Sequence, residues 1–298
     1  MAIWTKALLA LVMVAGAAHA DEAVNCASCA QWNAAQAPFQ VVGNTWYVGP
    51  AGLSAILVTS PQGHILIDGA LPQSAAQIIH NITVLGFSIN DVRLILSSHP
   101  HWDHAGGIAA LQRASGATVV ASAAGAQVLK DGTMGPDDPQ FDAAEPTRVG
   151  KIAKVRVVAD GEVVRLGTLA LTAHATPGHT AGGVTWTWQS CEDGLCSNVV
   201  YADSLNPVSR DGYRFSDAPQ LVATFAASTA KVAALPCDVL LSVHPGVSHT
   251  LDKLAATTRS HNAFLDGGCQ AYAAEASALM AARLASEAAH KPAPVVAH

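Results

Sequence analysis

Three histidines and one aspartate stand directly behind an apolar strand, and no other feature constrains this chain so strongly. The stretch HPHWDH at residues 99–104 supplies His99, His101, Asp103 and His104. The preceding run Val92–Leu96 is almost continuously apolar, which is typical of a strand covered on both faces. The sheets of α/β proteins place their ligands at the carboxyl ends of such strands. Imidazole and carboxylate groups favour zinc, with iron or manganese as alternatives, so the sequence predicts a metal site here.

Two more histidines follow strand ends further along the chain. His179 lies in the turn TPGHT after a strand that ends near Ala173, and His244 follows the predicted strand Val239–Ser242. Each alone is more typical of a turn histidine than of a ligand. One loop cannot supply the ligands of two metal ions, however, so we expect both to join the first motif. The competing interpretation of residues 99–104, a histidine-rich surface loop, is disfavoured by the buried strand before them.

Strand and helix patterns alternate along the rest of the chain. Two strand-rich halves with helices outside them predict a four-layer α/β/β/α sandwich, formed by a single domain over residues 21–298. We also expect a loop at Asp131–Thr147 and two helices, at Asp252–Phe264 and Gln270–Ala289. Half of the residues are hydrophobic and only 13% are charged, which excludes a disordered chain.

The first twenty residues have the three-part pattern of a secretory signal peptide. Lys6 is a short positive region, Ala7–Ala17 is apolar, and Ala18–Ala20 is a cleavage site flanked by small residues. An apolar N-terminal helix is the alternative. The apolar run is too short to span a bilayer, and no other run is long enough. We therefore expect an exported, periplasmic protein without a membrane span, whose mature chain begins at Asp21.

Export changes the interpretation of the six cysteines, because an oxidising compartment favours disulfides over free thiols. A redox or zinc CxxC site at Cys26 and Cys29 is the alternative. It is disfavoured because redox CxxC motifs lie at strand-to-helix junctions, and we expect these residues in an extended polar tail. The predicted pairs are Cys26–Cys29, Cys191–Cys196 and Cys237–Cys269.

Several motifs in this order resemble the metallo-β-lactamases of class B, subclass 3. The resemblance covers about residues 35–285, and it implies the α/β/β/α sandwich of that family and two zinc ions per chain. The motifs are NTWYVG at 44–49, ILIDG at 65–69, HPHWDH at 99–104, GHT at 178–180, YADSL at 201–205 and LPCDVLLSVHPG at 235–246. The implied ligands are His99, His101 and His179 for the first ion, and Asp103, His104 and His244 for the second.

The resemblance also assigns roles around the two ions. It implies that Asp103 orients the attacking water or relays its proton in addition to binding metal. Ser204 matches a serine near the second ion that hydrogen-bonds to water or substrate. Asn206 falls where the family often has a serine or threonine that holds the substrate carboxylate, and an amide can donate there too. Asp68 matches a buried aspartate that orients the ligand loop.

The implied function is zinc-dependent hydrolysis of the lactam amide in penicillins, cephalosporins and carbapenems, and hence antibiotic resistance. We expect a monomer with a small-molecule partner, and 16 Lys and Arg against 22 Asp and Glu make a nucleic-acid partner unlikely. A thioesterase resembling glyoxalase II or a lactonase is the alternative, because those enzymes use a bridging aspartate and Asp203 lies at or beside that position. Whether Asp203 or Ser204 faces the second ion stays open. A zinc-binding protein without catalysis is disfavoured, since six ligands leave positions open on two ions.

Overall fold

The computed structural model describes residues 23–144 and 148–289. The predicted signal peptide, residues 1–20, lies outside the described residues. Within them, no helix is both long and apolar enough to cross a membrane.

The first half of the chain forms a seven-stranded sheet whose spatial order follows the sequence order. Strands β1 to β4 are antiparallel neighbours, whereas β4 to β7 run parallel. The strands are β1 Phe39–Val42, β2 Thr45–Tyr47, β3 Ile56–Val58, β4 His64–Ile67, β5 Val92–Leu96, β6 Thr118–Ala121 and β7 Val155–Val157.

The second half forms a five-stranded sheet in the order β12-β11-β10-β9-β8. Its strands pair antiparallel except for β11 and β12, which are parallel. As a result β9, β11 and β12 point the same way and their carboxyl ends share one edge of the sheet. The strands are β8 Val163–Leu166, β9 Leu169–Ala175, β10 Val184–Glu192, β11 Leu195–Ala202 and β12 Val239–Ser242.

Eight α-helices are assigned in the described residues, and the longer ones cover the outer faces of the two sheets. They are α1 Cys29–Trp32, α2 Ala75–Val84, α3 Trp102–Ala105, α4 Ile108–Ser115, α5 Ala123–Asp131, α6 Pro219–Ala233, α7 Thr250–Ala256 and α8 Cys269–Ala289. Successive side chains of β4 pack on opposite faces of the sheet, and this alternation shows the layers. Ile65 and Ile67 pack in the core shared with Trp186 of the second sheet, whereas Leu66 packs with Ile78 of α2.

The outer face of the second sheet is covered in the same way. Val200 of β11 and Leu240 of β12 pack with Phe225 of α6 and Met280 of α8. Three apolar clusters therefore separate four layers, helices, sheet, sheet and helices, and the predicted sandwich is confirmed.

Two local predictions are wrong. Cys26 and Cys29 do not lie in an extended tail, because Cys29 is buried and begins the short helix α1. The helix predicted over Asp252–Phe264 ends at Ala256. There Thr257 adopts an extended backbone, and its hydroxyl donates to the carbonyl of Lys253 and accepts from the amide of Ala263. A threonine whose hydroxyl hydrogen-bonds to backbone groups both before and after it favours the end of a helix over its interior.

The cysteines form the three pairs expected from the sequence. They are Cys26–Cys29, Cys191–Cys196 and Cys237–Cys269, and the described part of the chain has no free cysteine. Cys191 and Cys196 face each other across the exposed end of the β10–β11 hairpin. The Cys237–Cys269 bond attaches the start of α8 to the segment before β12.

Candidate metal centre

The predicted ligands meet where three strand ends converge. His99 follows β5, His179 follows β9, and His244 follows β12. The backbone leaves the extended conformation after His101 and enters helix α3, whose first turn carries Asp103 and His104. Because only five residues separate the end of β5 from the start of α3, the four candidate ligands of the HPHWDH motif lie at one edge of the sandwich.

The first group of ligand atoms comes from His99, His101 and His179. One ring nitrogen from each residue lies within 4.8 Å of the other two, and all three side chains are buried. Nδ1 of His101 is 3.1 Å from Nε2 of His179. Nε2 of His99 is buried and has no hydrogen-bond partner. A buried nitrogen without a partner is costly unless something else binds it.

The second group comes from Asp103, His104 and His244. Nε2 of His104 is 3.2 Å from Nε2 of His244 and 3.2 Å from Oδ2 of Asp103, and the third distance, between His244 Nε2 and Asp103 Oδ2, is 3.5 Å. Zinc bonds of about 2.0–2.1 Å in a tetrahedral site put two ligand atoms about 3.3–3.4 Å apart. The three atoms therefore have the spacing of one face of a zinc tetrahedron.

The two groups are adjacent. His99 also lies within 4.8 Å, ligand atom to ligand atom, of Asp103 and His104. Three candidate ligands per group would leave at least one position on a bound ion for water or substrate, as in catalytic rather than structural zinc sites. The donor atoms, their spacing and the partnerless Nε2 of His99 all fit two zinc ions.

The far side of each ring in the first group is held by an acceptor. Nδ1 of His99 is 2.6 Å from Oδ1 of Asp203, and Nδ1 of His179 donates to the backbone carbonyl of Asn206 at 2.8 Å. Nε2 of His101 is 2.9 Å from Oδ2 of Asp138. Such acceptors fix the ring angle and leave the other nitrogen for the metal.

The protonation states of His99, His179, His244 and Asp103 suit metal binding. Burial lowers the pKa of His99 well below its ordinary value, and it lowers the pKa of His179 to about 3 and that of His244 to about 4. These imidazoles are therefore neutral at pH 7 and can donate a lone pair. Burial alone raises the pKa of Asp103, but the adjacent His104, whose own pKa Asp103 raises, outweighs it, so the pKa of Asp103 lies well below its ordinary value and the group is an anion.

Asp68 holds the beginning of the ligand loop. Its Oδ1 accepts from the backbone amide of Ser98 at 2.8 Å, and its Oδ2 accepts from the Ser98 hydroxyl at 2.6 Å and from the Tyr201 hydroxyl at 2.8 Å. All three residues are buried. The residue before His99 is thereby attached to both sheets, since Asp68 follows β4 and Tyr201 lies in β11.

A cavity of about 580 Å³ opens onto both groups. Ser204 and Asn206, which follow β11, line it. The carboxylate of Asp203 does not, because it faces the back of the His99 ring. The sequence left open whether Asp203 or Ser204 faces the second ion, and Ser204 is the one that lines the cavity.

Other residues of the cavity wall were missed by the sequence reasoning. Trp32 comes from α1, and its ring centroid lies 5.5 Å from that of His244. Gln140 comes from the long loop after α5, with Nε2 at 3.4 Å and 3.5 Å from the facing nitrogens of His101 and His179. Tyr272 comes from α8. These three segments carry no motif, so only their contacts could have revealed them.

Comparison with known proteins places this site in a family. The family model described as "Metallo-beta-lactamase superfamily" matches residues 48–225, more than half of the chain. The crystal structure of MEM-A1, described as a subclass B3 metallo-beta-lactamase isolated from a soil metagenome library, is 50% identical, with a TM-score of 0.84 over 87% of this chain and 100% of that one. The structure described as Rm3 metallo-beta-lactamase is 52% identical, with a TM-score of 0.84 over 89% and 100%.

Curated relatives are more distant. The hydroxyacylglutathione hydrolase of Cereibacter sphaeroides is 30% identical over 57% of this chain, and that of Anaeromyxobacter dehalogenans is 31% identical over 55%. The chain spans about half the length of these curated relatives. The chain belongs to the metallo-β-lactamase superfamily. Within it, the similarity over whole chains places it among the subclass B3 metallo-β-lactamases, which confirms the resemblance seen in the sequence.

Proposed function

We propose that this protein hydrolyses the lactam amide of penicillins, cephalosporins and carbapenems with two bound zinc ions. One observation carries the proposal: two groups of three metal-binding atoms lie side by side on the wall of one cavity. The structural relatives named as metallo-β-lactamases support the substrate class. We take residues 21–298 as one catalytic domain that acts as a monomer.

Two zinc ions bound here supply a water of lowered pKa and a Lewis acid for the lactam carbonyl. We propose that His99, His101 and His179 hold the first and that Asp103, His104 and His244 hold the second. Asp103 would bind through Oδ2, the oxygen that lies near His104 and His244, and its carboxylate would orient the attacking water. Because its low pKa keeps the group ionised, Asp103 acts as an acceptor throughout the neutral pH range.

The substrate carboxylate is assigned to the side of the cavity after β11. The Ser204 hydroxyl and the Asn206 amide are the donors proposed for it, and both residues line the cavity. Neither donor carries a charge, so the two side chains position the substrate carboxylate more than they neutralise its charge. The backbone carbonyl of Asn206 is already used by His179, which leaves the side-chain amide for the ligand.

Apolar side chains enclose the rest of the cavity. Trp32 and Trp102 form one wall with ring centroids 6.0 Å apart, and Leu205 and Val208 lie on the wall after β11. These walls displace water from the apolar faces of a bicyclic substrate, and the loss of water strengthens the polar contacts at the reacting amide.

A thioesterase activity is the second candidate, since the curated relatives are named hydroxyacylglutathione hydrolases. A thioesterase of this kind would use an aspartate that bridges the two ions. The geometry of Asp203 argues against that role, because its Oδ1 contacts Nδ1 of His99, on the opposite side of the ring from Nε2. Tyr272 further holds Asp203 in place by donating to its backbone carbonyl at 2.6 Å.

Export to the periplasm belongs to the proposal as well. Three disulfides favour an oxidising compartment, and the pattern of residues 1–20 is that of a signal peptide. N-terminal sequencing of the protein isolated from a periplasmic extract should start at Asp21. Protein retained in the cytoplasm with Met1 intact would contradict this part.

Steady-state kinetics on four substrates test the activity. A penicillin, a carbapenem, a glutathione thioester and a lactone are compared with purified mature protein, with zinc present and after treatment with a chelator. Turnover of the two β-lactams that the chelator removes supports the proposal. A preference for the thioester or the lactone would replace it with the alternative, and zinc binding without any turnover would indicate a binding protein.

A further inference from the structure

Asp138 connects the long loop after α5 to one ligand of the first group. Its Oδ2 lies 2.9 Å from Nε2 of His101, and the side chains are 8% and 5% exposed. Asp138 is thus a buried carboxylate in a loop whose neighbouring Asp137 and Asp142 are both exposed. Burial of an anion in a loop is expensive unless a specific partner offsets it, and His101 is that partner.

The contact selects one form of the His101 ring. An ionised carboxylate can only accept, so Nε2 must carry the ring proton and the lone pair is left on Nδ1. Nδ1 is the atom that faces Nε2 of His179 at 3.1 Å. The tautomer favoured by Asp138 is therefore the one in which His101 can bind a metal ion together with His179.

Asp138 also organises the loop that carries it. Its Oδ1 accepts from the backbone amide of Gln140 at 2.8 Å, and its backbone carbonyl accepts from the amide of Phe141 at 3.0 Å. The loop contributes Met134 and Gln140 to the cavity wall. One carboxylate thus contacts a ligand of the first group through one oxygen and the turn of the loop through the other.

We propose that Asp138 is a positioning residue that couples metal binding at the first group to the order of the loop at residues 132–144. The inference rests on the proposed metal site but not on the identity of the substrate. Coupling of this kind is reciprocal. A metal ion at Nδ1 of His101 favours the tautomer that donates to Asp138, and Asp138 favours the tautomer that binds metal. Loss of Asp138 should weaken metal binding, and loss of metal should loosen the loop.

The experiment compares Asp138→Ala and Asp138→Asn with Asp142→Ala, a matched control in the same loop. Asp142 is exposed, and its Oδ1 accepts from the amide of Ala144. Zinc affinity is measured by competition with a chromophoric chelator. Hydrogen–deuterium exchange of residues 132–144 is measured in the zinc-loaded and the metal-free protein. Neither measurement requires turnover.

We expect Asp138→Ala to weaken zinc binding about 10- to 100-fold, the range for loss of a residue that holds a metal ligand. Exchange in the loop should become faster in this variant, and also in the wild type when zinc is removed. The zinc affinity of Asp138→Asn should lie between that of the wild type and that of Asp138→Ala, because its amide oxygen still accepts from Nε2 but carries no charge. Asp142→Ala should bind zinc as the wild type does.

Zinc affinity of Asp138→Ala within about twofold of Asp142→Ala would overturn the inference, as would loop exchange that zinc does not change. If Asp138→Ala does not fold, Asp138→Asn decides: weakened zinc binding supports the inference and wild-type affinity overturns it. Wild-type protein that binds zinc normally but hydrolyses no β-lactam would contradict the proposed function alone.

Discussion

Asp203 and His99 form a fully buried pair, with Oδ1 of the carboxylate 2.6 Å from Nδ1 of the ring. The ring lies between the carboxylate and the position proposed for the first zinc ion. Asp203 therefore holds His99 from the side of the ring opposite Nε2, which suits an orienting residue rather than a bridging ligand.

This geometry predicts the result of Asp203→Asn. The amide oxygen can still accept from Nδ1, but it is a weaker acceptor than a carboxylate oxygen, so zinc affinity should fall about 10- to 100-fold. Saturating zinc should restore most of the turnover of a β-lactam. Zinc titration followed by kinetics checks this, and turnover that stays lost in a protein with two zinc ions bound would mean that Asp203 acts in the reaction.

Metal removal gives the second prediction. A chelator should reduce β-lactam hydrolysis to background, and added zinc should restore it, because the proposed nucleophile is a water activated by metal. Serine-directed suicide inhibitors should have no effect on the rate. Mass spectrometry of the treated protein checks for an acyl adduct, and a labelled serine with loss of activity would exclude the metal mechanism.

His101→Ala and His244→Ala should separate the two groups of ligands. At limiting zinc, each variant should bind one zinc ion where the wild type binds two. Loss of a residue that only holds a metal ligand already weakens metal binding about 10- to 100-fold, and loss of the ligand itself should weaken it more. Metal analysis after dialysis and a β-lactam assay at the same zinc concentration measure the effect. Turnover equal to that of the wild type in either variant would remove that histidine from the ligand set.

Asn206→Ala tests the assignment of the substrate carboxylate. A hydrogen bond to a charged acceptor is worth about 1.5–3 kcal/mol, so KM should rise by roughly ten- to a hundred-fold. The turnover number should change less, because the contact lies away from the bond that breaks. The backbone carbonyl that holds His179 remains in the variant, and unchanged zinc content is the control. A large fall in kcat with constant KM would contradict the assignment.

The Cys237–Cys269 bond should stabilise the fold more than the bond at the hairpin end. The two cysteines are 32 positions apart, whereas Cys191 and Cys196 are 5 apart. Loop-closure entropy gives about 3.7 kcal/mol for the longer loop and about 2 kcal/mol for the shorter one. Urea unfolding of the two double Cys→Ser variants measures the difference in the free energy of unfolding. Equal losses would show that loop closure does not govern their stability.

The sequence was enough to predict the layered sandwich and to single out six candidate ligands, which the fold brings to one cavity. Apolar periodicity marks strands and helices locally, as at Val92–Leu96, whose bounds agree with β5. The HPHWDH motif is informative because its four ligands lie within six residues and follow a buried strand. His179 and His244 could be added because each follows a strand end, where ligands of α/β sheets gather.

The tertiary structure decided which other residues contact those candidate ligands or line the cavity beside them. Asp138, Trp32 and Tyr272 lie in a loop, a short N-terminal helix and the last helix, and each contacts the site only because distant segments pack together. The direction of the Asp203 carboxylate and the end of α7 at Thr257 likewise depend on hydrogen bonds to particular partners. Periodicity and local motifs describe neighbours along the chain, whereas these contacts join residues that only packing brings together.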